Sequence, residues 1–167
     1  MKKDGDSINI LFIEIYHKYK NDIYRIAYSY TLNKEDAEDI VQCTFIKLHN
    51  NINKFNNADD YVKRWLFTVA VNESKDLLKS IWRKRRVNYE ELENIKDNKD
   101  NNKIKELNSI LSKLDKKYRI TFYLHYYEGY TAKEIANIIH ISESAVKSRL
   151  LRVKEKISIE MEDIKWN

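Results

Sequence analysis

The chain contains no proline and only two glycines among its 167 residues. Hairpin turns and tight connections between strands depend on these residues, because glycine adopts positive φ readily and proline fixes a turn. The sequence also lacks runs of alternating β-branched residues bounded by turn signals, which is the pattern of strands. These features predict an all-α protein whose helices are joined by polar loops.

The hydrophobic content is 43%, and no apolar run approaches the roughly 20 residues of a transmembrane helix. The basic N-terminus has no apolar segment behind it, so no signal peptide is expected. The only cysteine, Cys43, excludes an internal disulfide, and we expect its thiol to pack near an apolar helix face. The four histidines have no partners at metal-ligand spacing. We therefore expect a cytoplasmic protein without membrane insertion, metal or cofactor.

The net charge of +5 is concentrated in one part of the chain. Residues 61–86 contain eight basic and two acidic residues, whereas residues 90–106 contain four basic and six acidic residues. A solvated helix face more often alternates the signs of its charges. The concentration favours a polyanionic partner.

Two blocks with helical apolar periodicity flank a polar segment rich in Asn, Asp and Lys. We predict two domains, 7–86 and 104–164, joined by a flexible linker, 87–103, because the polar segment buries too little surface to offset its ordering entropy. The first block predicts three helices, at about 8–30, from Asn33 onward and at about 58–86. Asn33 is expected to cap the second helix, since two acidic residues follow in its first turn.

The second block predicts a helix over 115–127, a short helix and a longer one. Thr131 and Glu134 form the sequence signature of a capping box at the start of the short helix. A turn at 140–141 follows, and Ser142 is expected to cap the long helix.

A short capped helix, a tight turn and a second helix with an apolar stripe are typical of a helix-turn-helix. In that motif the second helix lies in the major groove of DNA and its first residues reach base edges. An ordinary helical hairpin with a charged, solvated face is the alternative. The candidate residues for contacting DNA are Glu143, Ser144, Lys147, Ser148, Arg149 and Arg152.

The second block resembles region 4 of the extracytoplasmic-function (ECF) sigma factors of the sigma-70 family. The resemblance lies in Leu114-Asp-Lys-Lys-Tyr-Arg119, Tyr127-Glu-Gly129, Glu134-Ile-Ala136 and Val146-Lys-Ser-Arg149. The first block is similar to region 2 of the same family, in Asp36-Ala-Glu-Asp-Ile-Val-Gln42, Phe45, Trp65-Leu66, Asn72, Asp76 and Arg83 to Arg86. The two similarities occur in the family's order and together cover nearly the whole chain.

The resemblance implies two small helical domains, a three-helix region 2 and a helix-turn-helix region 4. It implies an RNA polymerase sigma factor and not an enzyme, one that directs promoter-specific transcription initiation. The expected partners are core RNA polymerase, through the clamp helices of its largest subunit and through its flap, promoter DNA with its −35 and −10 elements, and an anti-sigma factor.

The resemblance assigns core-polymerase binding to Asp36, Asp39 and Gln42, which lie three residues apart and offer acceptors to arginines. Acidic residues that favour the helix dipole are the alternative. That alternative explains Asp36 well, but it explains Asp39 and Gln42 less well because they lie further into the helix.

The resemblance also assigns recognition and melting of the −10 element to the loop 53–60 and the helix after it. Whether Phe55 stacks on a base stays open, and Trp65 is expected in the core. The candidate residues are Asn53, Phe55, Asn56, Asn57, Lys63, Arg64, Lys75, Lys79, Arg83, Arg85 and Arg86.

The sequence departs from the family's pattern at Cys43, Asp115, His140 and Ala145. Asp115 replaces a proline and is expected to cap its helix through the carboxylate, and His140 replaces a glycine in the turn. A stand-alone helix-turn-helix regulator is the main alternative function. A recombinase or transposase is disfavoured, because the first block lacks clustered catalytic residues.

Overall fold

The structure, a computed structural model, describes residues 5–85 and 112–162, with the side chains of residues 5–81 and 112–158. Within these ranges every regular element is helical, as the sequence predicts. The chain divides into two compact units, Met1–Tyr89 and Glu90–Asn167. The predicted linker 87–103 and the predicted domain boundaries at residues 86 and 104 lie outside the described residues.

The first unit contains helices α1 (Gly5–Thr31), α2 (Lys34–Asn51) and α3 (Asp60–Arg85). A short 3₁₀ helix, Ile52–Lys54, follows α2. The three helices pack against one another, because each carries an apolar face at three- and four-residue spacing. The largest fully buried side chains of this unit are Ile15, Ile23, Ile26, Leu48, Val62, Leu66, Phe67 and Val71.

Two small hydroxyl side chains, Thr44 of α2 and Ser74 of α3, are also fully buried in this unit. Each donates a hydrogen bond to the carbonyl four residues earlier in its own helix, at 2.8 Å for Thr44 and 2.7 Å for Ser74. These bonds remove the cost of burying a hydroxyl. The core therefore includes two polar groups without leaving either unsatisfied.

The turn between α1 and α2 is made without glycine. Asn33 accepts a hydrogen bond from the amide of Asp36 at 2.9 Å, which confirms the predicted cap. The preceding residue, Leu32, has a φ of 50°, a conformation that is uncommon for a residue with a branched side chain. Its amide donates to the carbonyl of Tyr28 at 2.9 Å, and the Thr31 hydroxyl donates to the Asn33 carbonyl at 3.1 Å. Hydrogen bonds on both sides hold Leu32 in place.

The second unit contains α4 (Lys116–Phe122), a π-helical turn (Tyr123–Tyr127), α5 (Ala132–Ile139) and α6 (Glu143–Glu162). The helix expected over 115–127 is therefore confirmed, and its second half is a wider, π-helical turn. The amide of Glu128 donates to the carbonyl of Tyr123 at 3.2 Å, which is the five-residue spacing of a π turn.

The prediction that the Asp115 carboxylate caps α4 is wrong. Asp115 precedes α4, but its side chain makes no capping hydrogen bond. Its carbonyl instead accepts from the amides of Tyr118 at 2.8 Å and Arg119 at 3.2 Å. The guanidinium of Arg119, a residue only 8% exposed, donates to the carbonyl of Leu114. Main-chain bonds and a buried arginine therefore hold the start of this helix.

The helix-turn-helix is formed by α5 and α6 with the caps that the sequence predicts. Thr131 and Glu134 make both bonds of the capping box, and Ser142 accepts from the amide of Ala145 at 3.2 Å. His140 lies in the left-handed region, with φ 57° and ψ 56°, and the Ile141 amide donates to the Ala136 carbonyl at 3.1 Å. This is a Schellman turn, in which glycine is the usual residue at the position of His140. The apolar sides of the two helices bury Ile135, Ile139, Val146 and Val153.

Candidate nucleic-acid and protein interfaces

One stripe of α2 faces solvent over the second half of the predicted polymerase-binding motif. Asp39 and Gln42 are exposed, whereas Asp36 is half-buried. The next two exposed positions on the same side are Cys43 and Ile46, and Ile46 is 59% exposed. We call Asp39, Gln42, Cys43 and Ile46 the α2 stripe, since their spacing of three, four and seven residues places them on one side of a helix.

Two members of the α2 stripe were not predicted as site residues from the sequence. The expectation that the Cys43 thiol packs near the apolar face is wrong, because the residue is exposed. The neighbouring Thr44 takes the inward position instead, where its hydroxyl is satisfied within the helix. Ile46 is an apolar residue among the polar residues of the exposed side. This departure in the sequence could have indicated that Ile46 belongs to a binding surface. A large apolar residue in the open is informative when it lies beside acceptors suited to a protein partner.

The segment between α2 and α3 alternates buried apolar residues with exposed amides. We call residues 52–59 the amide loop. Ile52, Phe55 and Ala58 are buried, at 3%, 3% and 7% exposure. The side chains between them, Asn53, Asn56 and Asn57, are exposed. The loop therefore presents three amide side chains, each with a donor and an acceptor for the edge of a base.

The sequence leaves open whether the Phe55 ring stacks on a base, and in the structure this ring is buried. The ring packs edge-on against Trp65, with centroids 5.2 Å apart, and lies 6.0 Å from the ring of Tyr61. Trp65 is half-buried, so its expected place in the core is only partly met. Tyr61 is 60% exposed and is the aromatic side chain of this group that solvent reaches most.

The basic residues of α3 do not all share one side of the helix. At about 100° per residue, Arg64, Lys75 and Lys79 fall within roughly 60° of one another. Lys63 lies on a different side, with its ammonium 5.4 Å from the centroid of the Phe67 ring. We call Arg64, Lys75 and Lys79 the basic track. The side chains of Arg83 and Arg85, and the whole of Arg86, lie outside the described residues, so their roles stay predictions.

The helix α6 presents a polar side opposite its buried valines. Ser144, Lys147, Ser148 and Arg152 are exposed and lie on this side. Arg149 is half-buried, because its position in the turn brings it towards the valine side. Leu151, which was not predicted, is 60% exposed among the polar residues. The arrangement matches a recognition helix, with cations, hydroxyls and one apolar side chain directed outward.

Glu143, at the start of α6, forms an ion pair with Lys147. The carboxylate and ammonium lie 2.7 Å apart, one helical turn from each other. The hydrogen bond and charge of Lys147, with a smaller effect from Lys133, lower the pKa of Glu143. The ion pair therefore joins two exposed side chains of the first turns of α6.

Comparison with known protein families matches both units of the chain. The family model described as Sigma-70 region 2 matches residues 15–84, and the model described as Sigma-70, region 4 matches residues 104–157. Over 150 residues the chain is 32% identical to the ECF RNA polymerase sigma factor SigM of Bacillus subtilis, covering 86% of this chain and 91% of SigM. The chain belongs to the ECF sigma factors of the sigma-70 family.

Further relatives and solved structures agree with this membership. Over 160 residues this chain is 29% identical to the RNA polymerase sigma factor SigV of Bacillus subtilis, and the match covers 95% of this chain and 96% of SigV. A structure of the sigma factor RpoE in complex with the anti-sigma factor NepR, from Bartonella quintana, has the same fold, with a TM-score of 0.75 and 20% identity over 88% of this chain and 94% of RpoE. CnrH, solved with the cytosolic domain of CnrY, gives a TM-score of 0.62 at 22% identity over 92% of this chain and 89% of CnrH.

The family membership confirms the function that the resemblance implied. The protein is an RNA polymerase sigma factor, and the stand-alone regulator is not favoured. Sigma factors are transcription initiation factors and not enzymes. Over the part of the chain that the structure describes, no helix is long and apolar enough to cross a membrane. Among those same residues, no group of three or more His, Cys, Asp or Glu side chains is arranged to hold a metal ion.

The burial of Phe55 leads to a test that separates a core role from a base-stacking role. Phe55→Ala is expected to lower the free energy of unfolding by about 3 kcal/mol, since it removes a buried ring and leaves a cavity. Tyr61→Ala, the control on an exposed ring, is expected to change it by no more than about 0.5 kcal/mol. Urea unfolding of the full chain, followed by helical circular dichroism, measures both. Equal stability of the two variants would contradict the core assignment.

Proposed function

We propose that this ECF sigma factor binds core RNA polymerase through the α2 stripe, takes up unpaired −10 bases at the amide loop, and places α6 in the major groove of the −35 element. The two DNA-binding steps differ in substrate, because α6 suits a duplex and the amide loop suits a single strand. The observation that carries the proposal is the exposed side of α6, which follows a capped short helix and a tight turn.

At the −35 element, the first turns of α6 supply the contacts to base edges. Lys147 is suited to guanine or phosphate, and Ser144 and Ser148 can donate to or accept from either groove edges or the backbone. Arg152 lies further along the helix, where backbone contacts are more common. Leu151 supplies the apolar surface that a thymine methyl group requires.

At the −10 element, the amide loop and the basic track act together. Asn53, Asn56 and Asn57 offer hydrogen bonds to the Watson–Crick edge of an unstacked base. The basic track attracts the phosphates of the strand that carries this base, over about 22 Å of helix between Arg64 and Lys79. Binding of the single strand supplies the free energy that opens the duplex, so no hydrolysis step is needed.

On core polymerase, the α2 stripe offers a carboxylate, an amide and an apolar side chain to the clamp helices of the largest subunit. Asp39 and Gln42 suit arginine side chains, which bind acceptors through several donors. Ile46 supplies apolar surface of the kind found at the centre of protein interfaces. The second unit is expected to contact the flap of the polymerase, as the family resemblance implies.

An anti-sigma factor is proposed as a further partner. RpoE of Bartonella quintana, which shares the fold, was solved in complex with the anti-sigma factor NepR. A partner of this class keeps a sigma factor inactive when it covers surfaces that polymerase or DNA needs. The α2 stripe is one such surface, since it is exposed and includes Ile46.

The α2 stripe is tested by a double substitution, Asp39→Asn with Gln42→Ala. It is expected to weaken binding of core polymerase by about tenfold or more, because charge-assisted hydrogen bonds are lost. The matched control is Glu14→Gln, since Glu14 is an exposed carboxylate on α1 and so lies outside the α2 stripe. Affinity is measured by titrating core polymerase into the full chain labelled at its N-terminus.

A second readout uses the only cysteine of the chain. Bound core polymerase is expected to slow the reaction of Cys43 with a maleimide by at least about tenfold, because the thiol lies within the proposed interface. The Cys43→Ser variant reports any reaction elsewhere on the chain. Unchanged polymerase affinity in the double variant, together with unprotected Cys43, would refute this interface.

Lys147 is the sharpest test of the −35 assignment. Lys147→Ala in the reconstituted holoenzyme is expected to weaken promoter binding and to reduce the slope of log affinity against log salt by about one, as one phosphate contact is lost. Lys156→Ala is the control, because Lys156 is exposed on the same helix but lies over the ring of Tyr118, 5.4 Å from its centroid. Equal salt slopes for the wild type and Lys147→Ala would rule out a phosphate contact. Unchanged promoter affinity as well would exclude a base contact.

A further inference from the structure

The carboxyl end of the amide loop is bonded to α1 through two adjacent carbonyls, those of Ala58 and Asp59. The Lys18 ammonium donates to the carbonyl of Ala58 at 2.6 Å, and the Tyr19 hydroxyl lies 3.2 Å from the same oxygen. The Tyr19 hydroxyl also lies 3.4 Å from the carbonyl of Asp59. Two adjacent residues of α1 therefore hold the carboxyl end of a loop about 40 positions away in sequence.

The remainder of the loop is fixed by its own bonds and by burial. The amide of Phe55 donates to the carbonyl of Ile52 at 3.0 Å, and both side chains are buried. At the other end, the Asp59 carboxylate accepts from the amide of Val62 at 3.1 Å and caps α3. The stretch that carries Asn56 and Asn57 lies between the buried Phe55 and the Ala58 carbonyl.

We propose that Lys18 and Tyr19 are positioning residues of the amide loop. By holding the Ala58 carbonyl they fix where Asn56 and Asn57 project from the surface before DNA arrives. This inference rests on the proposed function, in which the loop takes up an unpaired base of the −10 element. Amide side chains distinguish bases only if their donor and acceptor are held in register with the base edge. A loop that is already ordered also avoids paying its ordering entropy when DNA binds.

The chemistry of the two donors fits this role. Tyr19 is only 4% exposed, and a buried tyrosine hydroxyl needs a partner, which it finds in the loop carbonyls. Lys18 is exposed as a residue, yet its ammonium bonds to the loop, and a charged donor gives a stronger hydrogen bond than a neutral one. The same positive charge lies at the carbonyl of Ala58, the residue that follows Asn57 in the chain.

The test compares base discrimination at the −10 element in reconstituted holoenzymes. Tyr19→Phe removes only the hydroxyl, and Lys18→Met removes only the charged donor. The templates are a library with the −10 element randomised, and the readout is the ratio of open-complex formation between the best and the worst base at each position. The double variant is expected to reduce this ratio about tenfold at one or two positions, since charge-assisted bonds are lost.

Three controls separate positioning from general damage to the fold. Lys18→Arg keeps a charged donor and is expected to retain most of the discrimination. Lys20→Met removes a neighbouring lysine whose ammonium lies 5.6 Å from the Tyr16 ring centroid, and it is expected to change nothing. A premelted −10 template is expected to restore open-complex formation in the double variant, because the strand is already unpaired.

The possible failures are distinguishable. Discrimination lost in Asn56→Ala and Asn57→Ala but intact in the double variant would overturn the positioning role and leave the loop's function standing. Discrimination intact in the two asparagine variants would overturn the proposed loop function, and the positioning role with it. A lower melting temperature with an unchanged ratio for the folded fraction would mean that Lys18 and Tyr19 only stabilise the fold, and this too would overturn the inference.

Discussion

Four helices of this chain begin at side chains that accept hydrogen bonds from main-chain amides, in a sequence with no proline and only two glycines to interrupt helices. Asn33, Asp59, Thr131 and Ser142 each accept from an amide in the first turn of the helix that follows. Leu32 and His140 adopt positive φ between helices, where glycine is the usual choice. These bonds set the start of each of these helices, and the apolar pattern sets which residues face outward.

The functional surfaces follow from where the helices begin. The cap at Asn33 starts α2 so that Ile40, Thr44 and Leu48 point into the core, which leaves Asp39 and Gln42 in solvent. The cap at Ser142 starts α6 so that Val146 and Val153 are buried, which leaves Lys147 and Ser148 outside. The apolar spacing decides which side of each helix packs inward, and the cap fixes where the helix begins after the turn. The polymerase and DNA surfaces proposed above thus depend on both the apolar spacing and these caps.

Much of the fold could be predicted from the sequence, because caps and apolar periodicity are local signals. The all-helical class, the capping box at Thr131 and the turn at His140 depend only on residues close in sequence. The role of Phe55 stayed open and the exposure of Cys43 was misjudged, because burial depends on which side of a residue the rest of the fold covers. Phe55 is covered by Trp65 of α3, and Thr44 takes the inward position beside Cys43. The helix was predicted to begin after Asp115, and it does. The predicted carboxylate cap is wrong, because the Arg119 guanidinium bonds to the Leu114 carbonyl at the start of this helix instead.

The candidate sites show the same division between local and distant signals. The spacing of Asp39 and Gln42 predicted that they share one side of α2. The exposed apolar surface of Ile46 on that side was found only in the structure. The bonds from Lys18 and Tyr19 to the amide loop join parts of the chain about 40 residues apart, and no short motif signals them. The functional assignment of the α2 stripe and the amide loop therefore combines family membership with exposed geometry.

The central claim is that this protein confers promoter recognition on core RNA polymerase. The most direct measurement is transcription by core polymerase on fragmented genomic DNA, with this protein as the only sigma subunit and with start sites mapped. We expect discrete start sites that share one −35 and one −10 sequence upstream. An absence of initiation on every template would contradict the claim, provided that the protein is folded and the same core polymerase is active with another sigma factor.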